Sequence, residues 1–597
     1  MTELLVLVRT LSAGTFLLQD SLGELSKATA SVGRGMASRA ILLATHGGCS
    51  FMAGHRRQLR YCRSERRGSW LGENVKEVAA FVRCAFVGGQ SLVDGREVVA
   101  YSKRGEGKKV WVHFVGIGGS GLSALAMLAH KQGFEVSGSD IVWSSYMNDL
   151  HLAGVKVFLG HSIASMEVNN HGRLPDAVII SSAIPKDNIE VVYAESVGIP
   201  IYKRDSWLRY VTAYYNLIAI GGTHGKSTTA AMLSYVLHAT GDDLIAVVGA
   251  NVPQFSGGNI IPGNGPNFIL EADEYDCCFL GLSPSVAVVT NVEWDHVDIF
   301  DDEEHVRCVF REFVQQIKCG GHLILCGDSA GAYSLLGDCK PNQSSTDIFP
   351  GSLISDVGYT VTTYGLSSKM DWYASCITPN SQGGQDYILH YRECPVADVS
   401  LKLPGVHNVL NSLAVVATIA TLIKNRELVH ETIDSVKHHL SKFEGVSRRF
   451  ELIGKLHGCC IYDDYAHHPT EVRATLQAVR QKFPSQPLWV VFQPHTFSRI
   501  AALMEDFVTA FTDADHLIVT EIYAAREENK WNSDGKDLAN LVIGPASEYI
   551  PNLDDVVDKL LLELSTNRNQ ETIVMTLGAG DITTLGPKLL NRMQTIP

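Results

Sequence analysis

Residues 217–240 read LIAIGGTHGKSTTAAMLSYVLHAT, and this stretch decides the class of fold. The apolar run LIAI suits a buried strand, the glycines after it suit a tight turn, and the segment that follows is rich in helix-forming residues. Strand, glycine turn and helix in this order are typical of an α/β protein whose sheet is mostly parallel.

The turn also carries the groups that a phosphate needs. Gly225 lets the backbone curl so that N–H groups face the phosphate, Lys226 neutralises its oxygens, and the hydroxyl of Ser227 is placed to bind Mg²⁺. Ile220 stands where such a loop usually carries its first glycine. Because a strand precedes the turn and a helix follows it, the stretch predicts a variant phosphate-binding loop; the alternative is a chance Gly-Lys-Ser.

The same pattern occurs on both sides of this stretch. Residues 110–140 read VWVHFVGIGGSGLSALAMLAHKQGFEVSGSD and again predict strand, glycine turn, helix and strand. From about residue 445, the strands CIYDDYAH, LWVVFQPH, HLIVTEIYA and TIVMTLGAG end in polar residues or glycines, at the sheet edge where open parallel sheets bind ligands. Residues 337–400 predict loops and antiparallel strands appended to the central sheet.

The chain is therefore predicted to be an α/β protein of three domains. Residues 109–211 form an N-terminal Rossmann-like domain, residues 212–444 a central domain of the P-loop ATPase type with a mostly parallel sheet, and residues 445–597 a C-terminal Rossmann-like domain. Of the 597 residues, 45% are hydrophobic and 53 are glycine, as expected of a globular α/β protein. No apolar run is long enough to predict a transmembrane helix.

Residues 1–108 are interpreted as an N-terminal extension, a transit peptide followed by a linker. The first 70 residues contain ten Lys or Arg and four acidic residues, and they are rich in Ser, Ala and Gly, which is typical of organelle transit peptides. A disordered tail or a mistaken start, with Met36 or Met52 as the first residue, stays open. The whole chain carries a net charge of −14, which argues against non-specific binding to nucleic acid or anionic membranes.

The glycine turn HFVGIGGSG at residues 113–121 predicts a second site for a phosphorylated ligand. Its glycines permit close approach to a diphosphate at a helix N-terminus, and Asp140 ends the next strand, where a partner for a ribose hydroxyl would lie. The spacing only approximates the dinucleotide fingerprint. A dinucleotide, another nucleotide such as a nucleotide sugar, and glycines needed only for packing all stay open.

Two carboxylate-rich strand ends predict a metal site in the central domain. ILEADEYD at residues 269–276 carries four acidic residues, and VVTNVEWDHVD at residues 288–298 carries Asp295, His296 and Asp298. Crowded carboxylates are costly without a cation, and oxygen ligands with one imidazole suit Mg²⁺ or Mn²⁺. The alternative is a set of solvated loop charges; the phosphate loop in the same domain favours the metal.

The third domain adds basic and imidazole groups. EGVSRRFE carries Arg448 and Arg449 where the domain begins, and DDYAHHPTE and FQPHTFSR follow at strand ends. Paired arginines are usually solvated at the surface, but these could also reach a γ-phosphate or a carboxylate across a cleft. The pair His467 and His468 could suggest zinc, but neither H-E-x-x-H nor cysteine spacing accompanies it.

These motifs occur together in one order: GTHGKSTT, EADEYD, TNVEWDH, PGVHNVLN, RRF, DDYAHHPTE, FQPHTFSR and GAGD. Taken together, residues 110–597 resemble the Mur ligase family. The resemblance implies an ATP- and Mg²⁺-dependent enzyme of peptidoglycan precursor synthesis that joins L-alanine to the lactyl carboxylate of UDP-N-acetylmuramate through an acyl phosphate. A ligase for a preformed murein peptide and a non-catalytic nucleotide-binding relative stay open.

The resemblance also implies roles for individual residues. Catalytic roles fall on Lys226, His296 and Arg449. The residues implied to bind ATP are Gly222, Thr223, His224, Gly225, Lys226, Ser227, Thr228, His407, Asn411 and Arg449. The residues implied to bind the UDP-sugar are Gly118, Gly119, Ser120, Gly121, Asp140 and Ser182. The residues implied to bind the amino acid are Tyr465, His467, His495 and Arg499. The implied metal ligands are Ser227, Glu271 and His296.

We expect the partners to be the two substrates, with no nucleic acid and no membrane insertion, and the protein to be a monomer or homodimer. A transit peptide on such an enzyme implies the plastid stroma, and a chain without one would stay in the cytoplasm.

If residues 1–70 are a transit peptide, a fusion of these residues to a fluorescent protein should enter plastids, because their basic, acid-poor composition is typical of transit peptides. Microscopy of the fusion beside the unfused fluorescent protein checks this. A fusion that stays in the cytosol rules the transit peptide out.

Overall fold

The structure is a computed structural model that describes residues 109–167, 173–337, 340–341, 353–355, 358–423, 429–525, 527–566 and 571–595. All of these residues belong to one compact unit, residues 93–597. The predicted extension, residues 1–108, lies outside the described residues. None of the described helices is long and apolar enough to cross a membrane.

The first sheet has five strands, and its central strand is buried throughout. Its strands are β1 (Trp111–Val115), β2 (Glu135–Asp140), β3 (Lys156–Leu159), β4 (Ala177–Ile180) and β5 (Ile201–Lys203). Its helices are α1 (Ser120–Lys131), α2 (Ser145–Leu152), α3 (Ile189–Ser196) and α4 (Arg204–Thr212). The order is β3-β2-β1-β4-β5 with parallel neighbours throughout the described strands. Every residue of the central strand β1 is buried, as its apolar sequence predicts.

The central sheet contains the stretch that opens with LIAI. Its strands are β6 (Asn216–Gly221), β7 (Ile245–Val247), β8 (Ile260–Pro262), β9 (Asn267–Glu271), β10 (Val286–Val289), β11 (His322–Cys326), β12 (Lys340–Pro341), β13 (Leu353–Ile354), β14 (Thr360–Gly365), β15 (Trp372–Pro379), β16 (Gln385–Tyr391) and β17 (Cys394–Leu401). Its helices are α5 (Lys226–Ala239), α6 (Glu303–Gln315), α7 (Ala330–Tyr333), α8 (Val406–Leu422) and α9 (Val429–Leu440).

The strand order of this sheet is β17-β16-β15-β14-β11-β10-β6-β9-β7-β8, with β13 also paired to β14 and β12 to β13. Neighbours from β14 to β7 run parallel. Strands β15, β16 and β17 form an antiparallel extension. The predicted antiparallel extension of the central sheet is therefore present.

The third sheet has one antiparallel edge strand. Its strands are β18 (Glu451–Leu456), β19 (Cys459–Asp464), β20 (Leu488–Phe492), β21 (His516–Val519), β22 (Ala546–Tyr549) and β23 (Thr572–Leu577). Its helices are α10 (Pro469–Lys482), α11 (Phe497–Val508), α12 (Gly535–Leu541), α13 (Leu553–Thr566) and α14 (Leu585–Thr595). The order is β18-β19-β23-β20-β21-β22, and among the described strands only β18 runs antiparallel to its neighbour.

The predicted fold class, α/β with three domains and mostly parallel sheets, is confirmed. The domain boundaries at residues 109–211, 212–444 and 445–597 stay predictions. The short strands β7, β8, β18 and β22 were not predicted, because a short run does not by itself distinguish a strand from another element.

A buried carboxylate fastens the carboxyl end of the first sheet. Glu190, fully buried at the start of α3, accepts hydrogen bonds from the Ser139 hydroxyl at 2.5 Å and the Ser162 amide at 3.0 Å. Although burial works to raise the pKa of Glu190, hydrogen bonding and charge from His113, together with the serine hydroxyls, lower it to about 2. The charged group therefore stays ionised and holds the end of β2, next to Asp140.

Close packing fixes the turn between β6 and α5. Gly222 has φ +129°, and a Cβ added there would lie 2.1 Å from Oγ1 of Thr290, at the end of β10. Gly225 has φ +80°, and a Cβ there would lie 2.6 Å from Oδ1 of Asn411 on α8. The glycines therefore serve both the backbone conformation and the close approach of the neighbouring elements.

We expect Gly222→Ala to lower the free energy of unfolding by about 1–3 kcal/mol more than Gly241→Ala, because overpacking adds to backbone strain. Gly241 is a matched control, since its φ is +97° but nothing lies within 4 Å of an added Cβ. Urea unfolding of both variants measures the difference. Equal losses would show that contact with Thr290 does not constrain the turn.

Candidate active site

The phosphate-loop region lies where three parallel strands end side by side. β6 lies between β9 and β10, and the register pairs Ile220 with Glu271 and Gly221 with Val289. The segments that follow these strands therefore meet at one edge of the sheet, as parallel topology requires. They contain the glycine turn, the EADEYD motif and the TNVEWDH motif.

Two cavities open at this edge. The larger has a volume of about 850 Å³ and is lined by residues from all three sheet regions, including Arg204, Lys226 and Arg499. The smaller, about 270 Å³, lies beside it between the central and third sheets. Gly225, Ser227, Arg449 and Glu471 line both cavities. These residues therefore form the boundary that the two cavities share.

Lys226 forms a buried ion pair at the first turn of α5. Its Nζ donates to both carboxylate oxygens of Glu274, at 2.8 and 2.7 Å, and to the Thr223 carbonyl at 3.2 Å. Burial opposes the charge on this lysine, but the carboxylates of Glu274 and Asp273 outweigh it and raise the Lys226 pKa. Lys226 is therefore a permanent cation beside the loop.

Ser227 and Glu271 form a second polar pair. The Ser227 hydroxyl donates to Oε1 of Glu271 at 2.8 Å, and the Gly249 amide donates to the other oxygen. Burial raises the pKa of Glu271 although Lys226 and these hydrogen bonds oppose the shift. A hydroxyl beside a partly buried carboxylate is a donor set that suits Mg²⁺.

His296 lies with a different pair of carboxylates. Its Nε2 is 3.7 Å from Oε1 of Glu274, and its ring packs edge-on against Tyr275 with centroids 5.0 Å apart. Asp273, Glu274 and His296 each present one ligand atom, and these atoms lie within 4.8 Å of one another. The structure thus separates the predicted metal ligands into two groups, Ser227 with Glu271, and His296 with Glu274 and Asp273.

These two groups fit a divalent cation. Burial and the neighbouring charge of Asp273 raise the pKa of Glu274 although Lys226 opposes the shift. Desolvated carboxylates with raised pKa values, such as Glu271 and Glu274, gain from a nearby cation, because it offsets both desolvation and like-charge repulsion. Glu274 belongs to the run of four acidic residues for which the sequence predicted a metal site, but it was not among the individual ligands that the family resemblance implied.

His224, in the phosphate loop, lies between carboxylates from two sheet regions. Its Nε2 is 3.5 Å from Glu293, which follows β10, and its Nδ1 is 3.5 Å from Glu471 in α10. Burial alone would lower the pKa of His224, but these two carboxylates raise it to about 10. The ring also packs against His468, with centroids 4.7 Å apart. His224 is therefore a cation at neutral pH.

Arg449 and Arg448 have different surroundings. Nη1 of Arg449 donates to Oε1 of Glu471 at 2.9 Å. Burial works to lower the Arg449 pKa, but the carboxylates of Glu471 and Asp464 outweigh it and raise the pKa. Arg448 donates to Asp463 at 3.2 Å and to the Gly578 carbonyl at 2.7 Å. Both guanidinium groups lie over the Tyr465 ring, that of Arg448 at 4.8 Å and that of Arg449 at 5.3 Å from its centroid. They are thus part of the cleft and not surface pairs.

Arg499 pairs across the cleft with the central domain. Its Nε and Nη2 donate to Oδ1 of Asp295 at 2.9 and 2.7 Å, and both side chains are at most 5% exposed. Its Nη1 lies 2.9 Å from Nδ1 of His495, so that this nitrogen must accept and His495 must be neutral. Burial lowers the His495 pKa to about 4, in agreement.

His467 lies among the same groups. Its Nδ1 lies 2.9 Å from the Tyr465 carbonyl, and its amide donates to Oε2 of Glu471 at 3.2 Å. Burial, aided by the charge of Arg499, lowers its pKa to about 3. The residues predicted to bind the amino acid are thus brought together: Tyr465, His467, His495 and Arg499 all line the larger cavity.

The smaller cavity is lined by the remaining residues of the predicted ATP set. His407, Asn411 and Thr228 line it together with the apolar faces of Tyr364 and Phe450. Burial lowers the His407 pKa to about 4, so the ring is neutral. A flat, mostly apolar ligand group beside a phosphate loop fits these surroundings.

The glycine turn of the first sheet is held by its own aspartate. The Gly118 amide donates to Oδ2 of Asp140 at 2.8 Å, and a Cβ on Gly121 would lie 3.0 Å from Nη1 of Arg204. Gly121 lines the larger cavity, and Ser182 is exposed. Gly119 lies in the same turn, immediately before α1. The Ser120 side chain is outside the described part of the structure.

The structure adds residues that were not among the roles implied by the family resemblance. Asp295, Glu471 and His468 contact predicted site residues across the cleft, and Glu293 contacts His224 within the central region. His468 lies 3.2 Å from the Trp294 carbonyl and His467 faces Tyr465, so the two adjacent histidines have separate partners. Each residue belongs to a quoted motif, but one sequence does not reveal which of the motif's charges meet.

Profiles of known families match three parts of the chain. Residues 111–216 match the Mur ligase family, catalytic domain; residues 220–348 match the Mur ligase middle domain; residues 448–580 match the Mur ligase, glutamate ligase domain.

Individual proteins match over most of their length. The UDP-N-acetylmuramate--L-alanine ligase of Frankia casuarinae is 40% identical over 499 residues, which cover 80% of this chain and 97% of that protein. The crystal structure of a UDP-N-acetylmuramate-alanine ligase from Thermotoga maritima has a TM-score of 0.64 at 26% identity and covers 81% of this chain and 99% of its own. A murein peptide ligase from Psychrobacter arcticus has a TM-score of 0.57 at 22% identity, covers 82% of this chain and 99% of its own, and shares the fold.

We expect Asp295→Asn to lower the midpoint of thermal unfolding by at least about 5 °C, because it leaves the buried charge of Arg499 without its partner. The double variant with Arg499→Gln should be no less stable than the single variant, since neither charge remains. Differential scanning calorimetry measures both midpoints.

Asp554→Asn serves as the control, because it breaks an ion pair with Lys588 whose side chains are 72% and 47% exposed. Its midpoint should change by less than about 2 °C, as expected for a solvated pair. A double variant whose loss in midpoint equals the sum of the losses of the two single variants would contradict a buried pair between Asp295 and Arg499.

Proposed function

Because the chain belongs to the Mur ligase family, we propose that it is an ATP-dependent ligase that joins L-alanine to the lactyl carboxylate of UDP-N-acetylmuramate in peptidoglycan precursor synthesis. The observation that carries this proposal is the larger cavity, about 850 Å³ in volume, which runs from the first sheet's glycine turn past Lys226 to Arg499. A sugar nucleotide, a triphosphate end and an amino acid could meet there in one line.

We assign the UDP-sugar to the first sheet, because Gly121 and Arg204 open into the cavity and the turn with Gly118 and Gly119 is held by Asp140. We assign the ATP phosphates to Lys226 and the loop, and the base to the smaller cavity beside His407 and Asn411. L-Alanine would lie near Tyr465, His467, His495 and Arg499, on the far side of the phosphates.

The reaction has two steps. An oxygen of the lactyl carboxylate attacks the γ-phosphorus of ATP, and the bond between that phosphorus and the β-phosphate oxygen breaks. ADP departs, and an acyl phosphate is formed. The amine of L-alanine then attacks the acyl carbon. Phosphate leaves, the nitrogen releases one proton, and an amide is formed. Because this chemistry needs positioning and charge neutralisation above all, the cations Lys226 and Arg449 are suited to it.

The carboxylates provide the remaining requirement. Mg²⁺ would be held by Ser227 with Glu271, and by Glu274 with Asp273 and His296, and it would neutralise phosphate charge during transfer. Neutral His467 and His495 leave the positive charge beside the amino acid to Arg499, which would attract a carboxylate. Third-sheet residues that close over the cleft would keep water from the acyl phosphate.

We also place the reaction in the plastid stroma. This part of the proposal rests on the composition of residues 1–70 alone, and the fusion experiment tests it independently of the activity.

Phosphate release by the full chain tests the activity. It should require ATP, Mg²⁺, UDP-N-acetylmuramate and L-alanine together, and Lys226→Ala should lower the rate at least about 100-fold, because it removes the cation at the transferred phosphate. Lys588→Ala, which removes a half-exposed lysine that lines neither cavity, should keep the rate.

Turnover with a murein tripeptide but not with L-alanine would identify a peptide ligase instead. ATP binding without turnover on L-alanine, serine, glycine or the tripeptide would indicate a non-catalytic relative.

A further inference from the structure

Glu471 contacts groups that we assign to different substrates. It lies in the first turn of α10, is 8% exposed, and lines both cavities. One carboxylate oxygen, Oε1, accepts from Arg449 at 2.9 Å and lies 3.5 Å from the ring of His224. The other, Oε2, accepts from the His467 amide at 3.2 Å and lies 3.3 Å from its Nδ1.

The two oxygens therefore face two halves of the reaction. Arg449 and His224 belong to the phosphate side, and His467 belongs to the amino-acid side. His224 is in the central sheet region, and Arg449, His467 and Glu471 are in the third, so the contact of Glu471 with His224 forms only when the two regions are together. The first turn of α10, which contains Glu471, is capped by His468, whose Nδ1 accepts from the Thr470 amide at 3.3 Å.

We propose that Glu471 is a positioning residue that couples acyl-phosphate formation to amino-acid binding by holding Arg449, His224 and His467 in one arrangement. This inference rests on the proposed function. Glu471 reaches the substrates through these three side chains and does not itself take part in either bond change.

Electrostatics supports this arrangement. Although burial works to raise the Glu471 pKa, the positive charges of Arg449 and His224 lower it well below the usual range. The carboxylate is therefore ionised throughout the neutral range, and its charge sustains the charge on His224. An uncharged side chain of the same size would keep the volume and lose this attraction.

The test separates the two steps with hydroxylamine. Hydroxylamine captures an acyl phosphate as a hydroxamate and releases phosphate, so that the first step is measured without L-alanine. In Glu471→Gln, we expect hydroxamate formation to fall at least about tenfold and the KM for L-alanine to rise at least about tenfold, because displacements of about 1 Å have effects of this size or larger.

Glu293→Gln is the matched control. Among the described residues, Glu293 pairs with His224 at 3.5 Å and with Thr470 at 2.7 Å, rather than with Arg449 or His467. This variant should slow hydroxamate formation through His224 and leave the KM for L-alanine within about threefold of the unsubstituted chain.

The outcomes are distinct. A Glu471→Gln chain that changes only one of the two quantities, or a Glu293→Gln chain that raises the KM for L-alanine equally, overturns the coupling role. If Glu471→Gln does not fold, Glu471→Asp, which keeps the charge but shortens its reach, must show the same paired change. An unsubstituted chain that forms neither hydroxamate nor product refutes the proposed function itself.

Discussion

The ion pair between Lys226 and Glu274 constrains everything around the cleft. Both groups are nearly buried, with side-chain exposures of 13% and 2%, and a buried charge without a partner costs several kcal/mol. A triphosphate would compete with Glu274 for the ammonium group, and a divalent cation would compete with Lys226 for the carboxylate. The triphosphate thus compensates Lys226 when the metal ion takes Glu274, and the metal ion compensates Glu274 when the triphosphate takes Lys226. The cleft is therefore suited to a metal-bound nucleotide more than to the metal or the nucleotide alone.

The third sheet region completes the charge balance of the central one. Asp295 is matched by Arg499, and His224 is matched by Glu471 as well as by Glu293. If the regions separated, Asp295 and Arg499 would each need water in place of the other. The same contacts that stabilise closure therefore bring Arg449 towards the phosphate loop, and a closed cleft and an assembled site are one state.

Local pattern predicted the parts of this molecule that depend on local sequence. The apolar runs at β1 and β6 indicated buried parallel strands, and GGTHGKS indicated the turn before α5, because glycine, charge and hydroxyl sit at fixed offsets from a strand end. The antiparallel strands after residue 358 were also predicted. Strands of three residues, such as β7, carry no period that could have indicated them.

Pairing across the cleft could not be predicted in this way. Asp295 and Arg499 are 204 residues apart in sequence, and nothing in either motif says that they meet. Likewise the run Glu271, Asp273, Glu274 offers several carboxylates, and only the fold assigns Glu271 to Ser227 and Glu274 to Lys226. Predicting the charged residues was possible from composition and order; predicting their partners required the three-dimensional arrangement.

The most direct test of the account follows the oxygen atoms of the substrate. UDP-N-acetylmuramate labelled with ¹⁸O in its lactyl carboxylate would be converted with ATP and L-alanine, and the released phosphate analysed by mass spectrometry. Attack of that carboxylate on the γ-phosphorus predicts phosphate carrying one ¹⁸O atom, with the other retained in the amide. Phosphate without the label, formed together with the amide, would contradict an acyl phosphate and the arrangement of Lys226, Arg449 and Glu471 proposed around it.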